Sequence, residues 1–284
     1  MQVTLASRRS PDATSNEDFI AATAHAVVVV DGASVPPELG TGCAHGTAWF
    51  SHRLGTQLLA LLTSQPDHSP ADNLAQAITA VAALHADTCD LDHPGTPSAT
   101  VAILREQPDT MDYLVLGDTT ILLEQPTGIR AITDDRLERV ASVQHDAMHQ
   151  QATGSAAHAR SFAQLVTEQR RHRNHPDGFW VASTDPAAAQ HALVDTVARD
   201  RLHRAAVLSD GATRLVDRFG LLDWSSFLAV LADQGPDAII AQVRAAERSD
   251  PDGQRWPRGK RHDDASAVYL AFQRDSPAAD TSAG

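Results

Sequence analysis

The hydrophobic pattern is organised around one short apolar run that ends at an acidic residue. Ala26–Val30 contains four consecutive valines and leads directly into Asp31 and Gly32. Because this run has no polar alternation, it predicts a strand that is buried on both faces and delivers Asp31 to the rim of a sheet. Gly32 lets the backbone pass close to whatever Asp31 holds. Taken alone, the motif is typical of an ordinary Asp-Gly turn.

The same pattern recurs further along the chain. Apolar runs end at Asp118 and at Asp210, and Asp263 and Asp264 stand just before the run from Ala265 to Phe272. Several carboxylates on one sheet rim would repel one another, and burying them unpaired is costly. A hard divalent cation with oxygen ligands removes both problems. The recurrence therefore predicts a metal site.

The remaining segments predict antiparallel sheets with helices packed outside them, because strands and helices do not alternate regularly. Further strands are predicted at Gln2–Ser7, Asp18–Thr23, Ala99–Leu104, Asp112–Leu116, Thr120–Leu123, Gly128–Ile132 and Phe179–Ala182. Helices are predicted at Ala44–Leu62, Ala71–Thr88, Asp223–Ala232 and Pro236–Glu247, and after Asp185-Pro186.

The composition is that of an ordinary soluble globular protein. The chain has 284 residues, of which 42% are hydrophobic and 5% aromatic, so we expect a core of aliphatic side chains. Residues 1–272 are predicted to form a single domain, which is large but within the range of β-rich domains. Residues 273–284 are small and polar, and we expect a disordered tail there.

Charge and targeting signals narrow the partners and the compartment. With 23 basic and 36 acidic residues the net charge is −13, which disfavours nucleic acid or an anionic membrane as a partner. No signal peptide and no apolar run of about 18 residues is evident, so we expect a cytoplasmic protein. We also expect a monomer. Cys43 and Cys89 could form only one disulfide and predict no disulfide framework.

Six short motifs occur in the order and approximate spacing of the metal-dependent, type 2C protein phosphatases (the PPM family), bacterial type. They are Asn16-Glu17-Asp18, Val30-Asp31-Gly32, Thr96-Pro97-Ser98-Ala99-Thr100, Leu116-Gly117-Asp118, Leu208-Ser209-Asp210-Gly211 and His262-Asp263-Asp264. Each motif is a weak signal alone, but the six occur in order, and the stretch from the first to the last is nearly the whole chain. The chain therefore resembles this family. The resemblance implies an α+β fold, a four-layer α-β-β-α sandwich with two central antiparallel sheets flanked by helices.

The resemblance also implies a binuclear Mg²⁺ or Mn²⁺ centre, with a third, weaker ion in bacterial members. Asp31 matches the carboxylate that bridges two ions, and Asp210 and Asp263 match ligands of the first ion, so these three are the catalytic candidates. The full set of implied metal ligands is Glu17, Asp18, Asp31, the Gly32 carbonyl, Asp118, Asp210 and Asp263. Water activated between two ions would attack phosphorus in line, without a protein nucleophile.

The implied activity is a metal-dependent phosphomonoester hydrolase, in the first place a protein serine/threonine phosphatase. A small phosphorylated metabolite could undergo the same chemistry, so both substrate classes stay open. A non-catalytic phosphatase-like module that binds a partner is an alternative, and the retained Asp31, Asp210 and Asp263 speak against it. A haloacid-dehalogenase-type phosphatase would carry a second Asp two residues after Asp31, where this chain has Ala33.

The chain departs from the family pattern where the substrate phosphate is held. Many bacterial members have an arginine shortly before the first motif, whereas this chain has Asp12-Ala13-Thr14-Ser15. Arg8 and Arg9 are the only basic residues upstream of that motif and are predicted to bind the phosphate. Asp264 stands where the family usually has Asn. Its extra charge is predicted either to tighten metal binding or to be solvated.

Histidine and cysteine residues form a second, weaker metal pattern. His85, Cys89 and His93 recur every four residues, but a proline and a glycine follow and no fourth ligand is evident, so a zinc site is not predicted. Cys43 and His45 are interpreted as a helix entry with a small buried thiol.

The polar residues 134–176, with a helical tendency around Arg160–Arg171, are interpreted as a surface excursion. They contain a basic cluster, Arg170, Arg171 and Arg173. The simplest interpretation of this cluster is a solvated face. Its functional alternative is a flap that faces the substrate.

Overall fold

The computed structural model describes residues 1–272, so the tail predicted over 273–284 lies outside the described residues. Ten strands occur in the described part. They are β1 (Gln2–Arg8), β2 (Phe19–Ala22), β3 (Ala26–Gly32), β4 (Ala99–Glu106), β5 (Thr110–Leu116), β6 (Thr120–Gln125), β7 (Gly128–Ile132), β8 (Leu193–Ala198), β9 (Arg204–Leu208) and β10 (Ala265–Ala271).

Eight α-helices occur in the same part of the chain. They are α1 (Thr47–Ser64), α2 (Pro70–His85), α3 (Arg136–Arg139), α4 (Ser142–His149), α5 (Ala156–His172), α6 (Asp210–Asp217), α7 (Trp224–Gln234) and α8 (Pro236–Ser249). Two short 3₁₀ helices lie at Pro186–His191 and Arg199–Arg201. Among residues 1–272, no helix is both long and apolar enough to cross a membrane.

The strands form two five-stranded antiparallel sheets. The first has the order β1-β10-β9-β6-β7 and the second the order β2-β3-β4-β5-β8. All neighbouring strands in both sheets pair antiparallel. The predicted antiparallel architecture is therefore confirmed.

Strand β3 shows how the layers are held together. Val28 and Val30 pack with residues of α1 and α2, whereas Val27 and Val29 pack with the first sheet. All four valines have no exposed surface, which confirms the prediction of a strand covered on both faces. Burying each such side chain contributes about 1.5–3 kcal/mol. Helices α6, α7 and α8 cover the outer face of the first sheet, so the four-layer α-β-β-α sandwich is also confirmed.

Several elements differ from the sequence prediction. Strand β8 was not predicted, because as an edge strand it is almost entirely exposed and lacks an apolar face. The predicted strand Phe179–Ala182 is wrong, since its ends make only isolated bridges, to Arg173 and Ala99. Residues 134–176 lie mostly at the surface, as predicted, and α5 confirms the helical tendency around Arg160–Arg171, but α3 and α4 were not predicted.

Two helix ends also differ, and both differences matter for the chemistry. Helix α1 starts at Thr47 rather than near Ala44, because Gly46 adopts a φ of 81° and ends the preceding loop. Helix α2 ends at His85 rather than at Thr88. The residues just before α1 and just after α2 therefore lie in loops, and these two loops can contact each other.

Candidate metal centre

The acidic residues predicted from sequence converge at one end of the two sheets. Asp31 is the penultimate residue of β3, and Asp210 is the first residue of α6, two residues beyond the end of β9. The backbone N–H of Asp210 donates a hydrogen bond of 3.3 Å to Asp31 Oδ2. This contact places the Asp31 carboxylate at the amino end of α6, where the helix dipole favours negative charge.

The electrostatics of this end are those of crowded carboxylates. Burial, followed by the charges of Asp18 and Asp210, raises the pKa of Asp31 well above its usual value. Burial and the charge of Asp210 raise the pKa of Asp118 to about 7. Burial and the charge of Asp263 also raise the pKa of Asp210. The charges of Arg214 and Lys260 lower the pKa of Asp210 and compensate these negative charges only in part.

Asp18 is the clearest sign of a missing positive partner. Its side chain is 3% exposed, and neither carboxylate oxygen accepts a hydrogen bond of normal geometry. The hydroxyls of Ser266 and Ser209 lie nearby and lower the pKa of Asp18, but burial outweighs them. Burial raises the pKa of Asp18 to about 7. A buried carboxylate that is compensated only by hydroxyls fits an ion or an ion-bound water layer.

Glu17 and Gly32 complete the set from the first two motifs. The Ser34 hydroxyl donates to Glu17 Oε2, and burial raises the pKa of Glu17 in spite of that bond. A Cβ on Gly32 would lie 2.7 Å from both the Glu17 carbonyl oxygen and Thr47 Cγ2, so only glycine fits there. These hard oxygen donors fit Mg²⁺ or Mn²⁺.

Asp263 differs from the other carboxylates because it already has two cationic partners. Arg214 Nη2 lies 2.8 Å from Asp263 Oδ2, and Lys260 Nζ lies 2.8 Å from Oδ1. Although burial opposes it, the charges of Lys260 and Arg214 lower the pKa of Asp263. Asp263 therefore stays ionised, and an ion would have to use its remaining lone pairs.

The sequence analysis missed Lys260 and Arg214, and the sequence contains a signal only for Arg214. Arg214 lies four residues after Asp210, which is the spacing of neighbours on one helix face, but α6 itself was not predicted. Lys260 lies three residues before Asp263 and also donates to the Ser34 hydroxyl over 2.9 Å. Its position in a loop gives no periodic signal.

Asp264 is not solvated but fastens two parts of the backbone together. Its side chain is buried and accepts hydrogen bonds of 2.6 Å from the backbone N–H groups of Ser10 and Glu17. It fastens the start of the first motif to the start of β10. The expectation of solvation is therefore wrong, and the expectation that the charge of Asp264 tightens metal binding stays a prediction.

A cavity of about 390 Å³ opens on the acidic residues. Asp31, Asp118, Asp210 and Asp263 line one part of it, whereas Glu17 and Asp18 are not among its lining residues. The facing wall comes from α4 and α5 and includes Met148, Phe162, Leu165 and Val166. We call residues 136–172 the flap. The flap gives the cavity an apolar wall opposite an acidic floor.

Arginines at the end of the flap fix its position. Arg173 donates to the carbonyls of Thr96 and Pro94 and to the Ser98 hydroxyl, over 2.9, 3.0 and 3.2 Å. Arg170 donates to the Gly40 carbonyl over 3.1 Å. Both arginines line the cavity, so the prediction of a simple solvated face is wrong for them.

The structure does not bring Arg8 and Arg9 to the cavity. Arg8 is exposed and lies 2.7 Å from Asp237 on the surface, and Arg9 donates to the Thr14 carbonyl. Neither lines the cavity, whereas Lys260, Arg170, Arg173, Arg214 and Arg218 do. The role of Arg8 and Arg9 in phosphate binding stays a prediction without support from their placement.

Several solved structures of phosphatases have a fold similar to that of this chain. A bacterial serine phosphatase matches with a TM-score of 0.58 and 14% identity, over 98% of this chain and 100% of that chain. The PPM Ser-Thr phosphatase MsPP from Mycobacterium smegmatis, solved with cacodylate, matches with a TM-score of 0.57 and 16% identity, over 96% and 99%. The catalytic domain of the serine threonine protein phosphatase PstP, solved with two manganese ions, matches with a TM-score of 0.52 and 14% identity, over 94% and 96%.

The chain thus has the fold of the PPM-type phosphatases, as its motifs predicted. No protein-family model and no curated protein matches its sequence. At these identities the structural matches establish the fold, and the chemistry must be argued from the site itself.

Proposed function

We propose that this chain is a metal-dependent phosphomonoester hydrolase that acts on phosphoserine and phosphothreonine in proteins. The observation that carries the proposal is the group of buried carboxylates with raised pKa values around one cavity. Buried, uncompensated carboxylates are expensive unless a cation binds between them. The PstP structure with two manganese ions, which has the same fold, supports the same interpretation.

In this proposal Asp31, the Gly32 carbonyl, Asp210 and Asp263 would hold the two ions. Glu17 and Asp18 contribute through water, and Asp118 holds a third ion. The chemistry that such a centre supplies when bound is a water of lowered pKa, positioned for in-line attack on phosphorus.

The other groups of the cavity have supporting roles. Arg214 and Lys260 keep Asp263 ionised and oriented. Lys260, which reaches the cavity from a loop, is also the cation best placed to meet a phosphate oxygen near the carboxylates. The apolar wall that the flap forms limits the access of bulk water to the cavity.

A small phosphorylated metabolite is the second candidate substrate. A cavity of about 390 Å³ that is walled by the flap is in the size range of small-molecule sites. A phosphoprotein would have to present its phosphorylated side chain between the flap and the acidic floor.

Hydrolysis of p-nitrophenyl phosphate should require Mn²⁺ or Mg²⁺ and should disappear when these ions are removed and return when they are added back. Parallel assays with phosphopeptides and with phosphometabolites then separate the two substrate classes by kcat/KM. Full activity in buffer free of divalent ions would contradict the proposed chemistry.

A further inference from the structure

A second cluster of metal-binding side chains lies away from the acidic cavity. It consists of Cys43 and His45 in the loop before α1, His85 at the end of α2, and Cys89 just beyond it. One sulfur or ring nitrogen from each residue lies within 4.8 Å of those of the other three. We call these four residues the Cys/His cluster.

The distances within the cluster match those of a tetrahedral site. Cys43 Sγ lies 3.3 Å from Cys89 Sγ, 3.6 Å from His85 Nδ1 and 3.8 Å from His45 Nδ1. Cys89 Sγ lies 3.3 Å from His45 Nδ1. Ligands at about 2.3 Å for sulfur and about 2.0–2.1 Å for nitrogen around one tetrahedral ion would be roughly 3.3–3.8 Å apart. Both cysteines are free thiols.

The buried histidine of the cluster is an independent sign of a ligand. His85 is 1% exposed, and its Nε2 atom has no hydrogen-bond partner. The other ring nitrogen, Nδ1, faces the Cys43 sulfur. The polar contacts of this buried imidazole are the Cys43 thiol at 3.6 Å and the Cys89 thiol, which are weak partners for so costly a burial. An ion at the centre of the cluster would supply a strong one.

The surrounding structure orients the four ligands. The backbone N–H of Ala44 donates to Cys89 Sγ over 3.4 Å, and the N–H of Asp90 donates to the Gly42 carbonyl over 2.8 Å. Gly42 has a φ of 66°, and a Cβ there would lie 2.4 Å from a His93 atom, so only glycine lets the loop come this close. The Trp49 ring stacks on His45 at 4.4 Å.

We propose that Cys43, His45, His85 and Cys89 bind one Zn²⁺ ion in a tetrahedral structural site. Two thiolates and two imidazoles suit zinc, a borderline-soft ion, far better than Mg²⁺ or Mn²⁺. Four protein ligands leave no open coordination position, so the site stabilises structure rather than performing catalysis. The proposal does not depend on the phosphatase activity.

The position of the cluster explains what the ion would stabilise. Residues 33–46 run from the acidic rim to the cluster without regular secondary structure. Ser34 in this loop contacts Glu17 and Lys260, and the Gly40 carbonyl accepts the hydrogen bond from Arg170 of the flap. Zinc would pin the far end of the loop to α2 and thereby hold both the rim and the docking position of the flap.

The test is metal binding by the full chain under reducing conditions. We expect about one Zn²⁺ per chain by elemental analysis, and Co²⁺ substitution should give the intense visible bands and thiolate charge-transfer absorption of a tetrahedral site with sulfur ligands. Cys43→Ser and Cys89→Ser should each abolish these bands. The matched control His93→Ala changes a neighbouring histidine outside the cluster and should retain them.

A second measurement on the unmodified chain covers the case in which a cysteine variant fails to fold. Zn²⁺ should protect both thiols from alkylation, whereas the same concentration of Mn²⁺ should not. Failure of the reduced chain to bind Zn²⁺ or Co²⁺ would overturn the proposal. So would stoichiometric binding that persists in both cysteine variants, or thiols that zinc leaves fully reactive.

Discussion

We call the carboxylates of Glu17, Asp18, Asp31, Asp118, Asp210 and Asp263 the acidic centre. The acidic centre and the Cys/His cluster lie at the two ends of one loop, residues 33–46, and they offer opposite kinds of metal ligand. At the acidic centre, hard oxygen donors crowd together, and burial and mutual repulsion raise their pKa values. At the Cys/His cluster, soft sulfur and nitrogen donors contact one another at 3.3–3.8 Å. Although desolvation opposes it, hydrogen bonds from the Ala44 N–H and His85 lower the pKa of the Cys89 thiol to about 6. A cation at the acidic centre would relieve the repulsion between carboxylates. At the Cys/His cluster, the spacing of the four ligand atoms is what favours a cation.

This difference has a consequence for function. Ions at the acidic centre would be exchangeable and accessible from the cavity, as an active site requires. An ion at the Cys/His cluster would be enclosed by four protein ligands and would exchange slowly. Experiments that affect one site and leave the other unchanged therefore test the comparison directly.

The largest expected effect comes from removing a carboxylate of the acidic centre. Asp31→Asn and Asp210→Asn should each lower kcat by roughly a thousandfold or more, because several kcal/mol of charge stabilisation are lost and each 1.36 kcal/mol is tenfold. Steady-state assays at saturating Mn²⁺ measure the loss. Zinc content should stay unchanged, and the surface variant Asp237→Asn serves as the control. Near-normal turnover in either variant would refute the ligand assignment.

A second prediction concerns stability without Mg²⁺ or Mn²⁺. The folded-state pKa of Asp18 is about 7, above the usual value of 3.8, so protonated Asp18 favours the fold. This contribution to the free energy of unfolding, on the order of a few kcal/mol, is fully present below pH 4. It is lost as the pH rises through about 7. Repeated desalting removes the weakly held ions, and urea unfolding between pH 4 and 8 should show stability falling with pH.

Asp18→Asn is the matched control for that measurement, because it keeps the shape and removes the titration. Its stability should fall less between pH 4 and 8 than that of the unmodified chain. Saturating Mn²⁺ should reverse the trend, since the ion binds the ionised carboxylates. Identical pH slopes for the two proteins would show that Asp18 is already compensated.

The sequence predicted the acidic centre because its ligands follow strands. Asp31, Asp118 and Asp210 each come at the end of a buried apolar run, so the hydrophobic pattern marks both the strand and the carboxylate. The two antiparallel sheets then bring these strand ends together at one end of the sandwich. The order of the elements likewise predicted antiparallel sheets with helices packed outside them, whereas the four-layer sandwich was implied by the family resemblance.

The Cys/His cluster and the cationic partners were not predictable in this way. Cys43 and His85 are far apart in sequence, and their meeting depends on α1 starting late and α2 ending early. Helix ends are the least certain part of any pattern-based prediction. Lys260 likewise comes from a loop, where side-chain direction has no periodicity. What a sequence pattern misses here is chemistry placed on loops.

A third prediction addresses Lys260, the cation that lies against the acidic centre. Lys260→Met removes a positive charge that donates to Asp263 over 2.8 Å. Repulsion between Lys260 and a divalent ion is then lost, so Mn²⁺ should bind roughly tenfold more tightly, the Coulomb energy being reduced by solvent screening. Calorimetric titration with Mn²⁺ measures the change without relying on activity. Lys260→Arg keeps the charge and should bind Mn²⁺ like the unmodified chain, whereas weaker binding by Lys260→Met would contradict the repulsion argument.

The smallest effect is expected from Arg8 and Arg9. The family resemblance predicts that they hold the substrate phosphate, which would make each worth about ten- to a hundredfold in kcat/KM. Their placement indicates otherwise, because Arg8 is paired with Asp237 on the surface and Arg9 with the Thr14 carbonyl. Exposed ion pairs of this kind contribute about 0–1 kcal/mol, so from the structure we expect the double variant Arg8→Ala, Arg9→Ala to change kcat/KM by less than about twofold.

Steady-state kinetics of this double variant at saturating Mn²⁺, beside Lys260→Met, decides where the phosphate is held. A tenfold or larger rise in KM in the double variant would support the sequence prediction and would require the segment around Arg8 to swing toward the cavity. An unchanged double variant together with a raised KM in Lys260→Met would instead assign the phosphate to Lys260, which already lines the cavity beside Asp263.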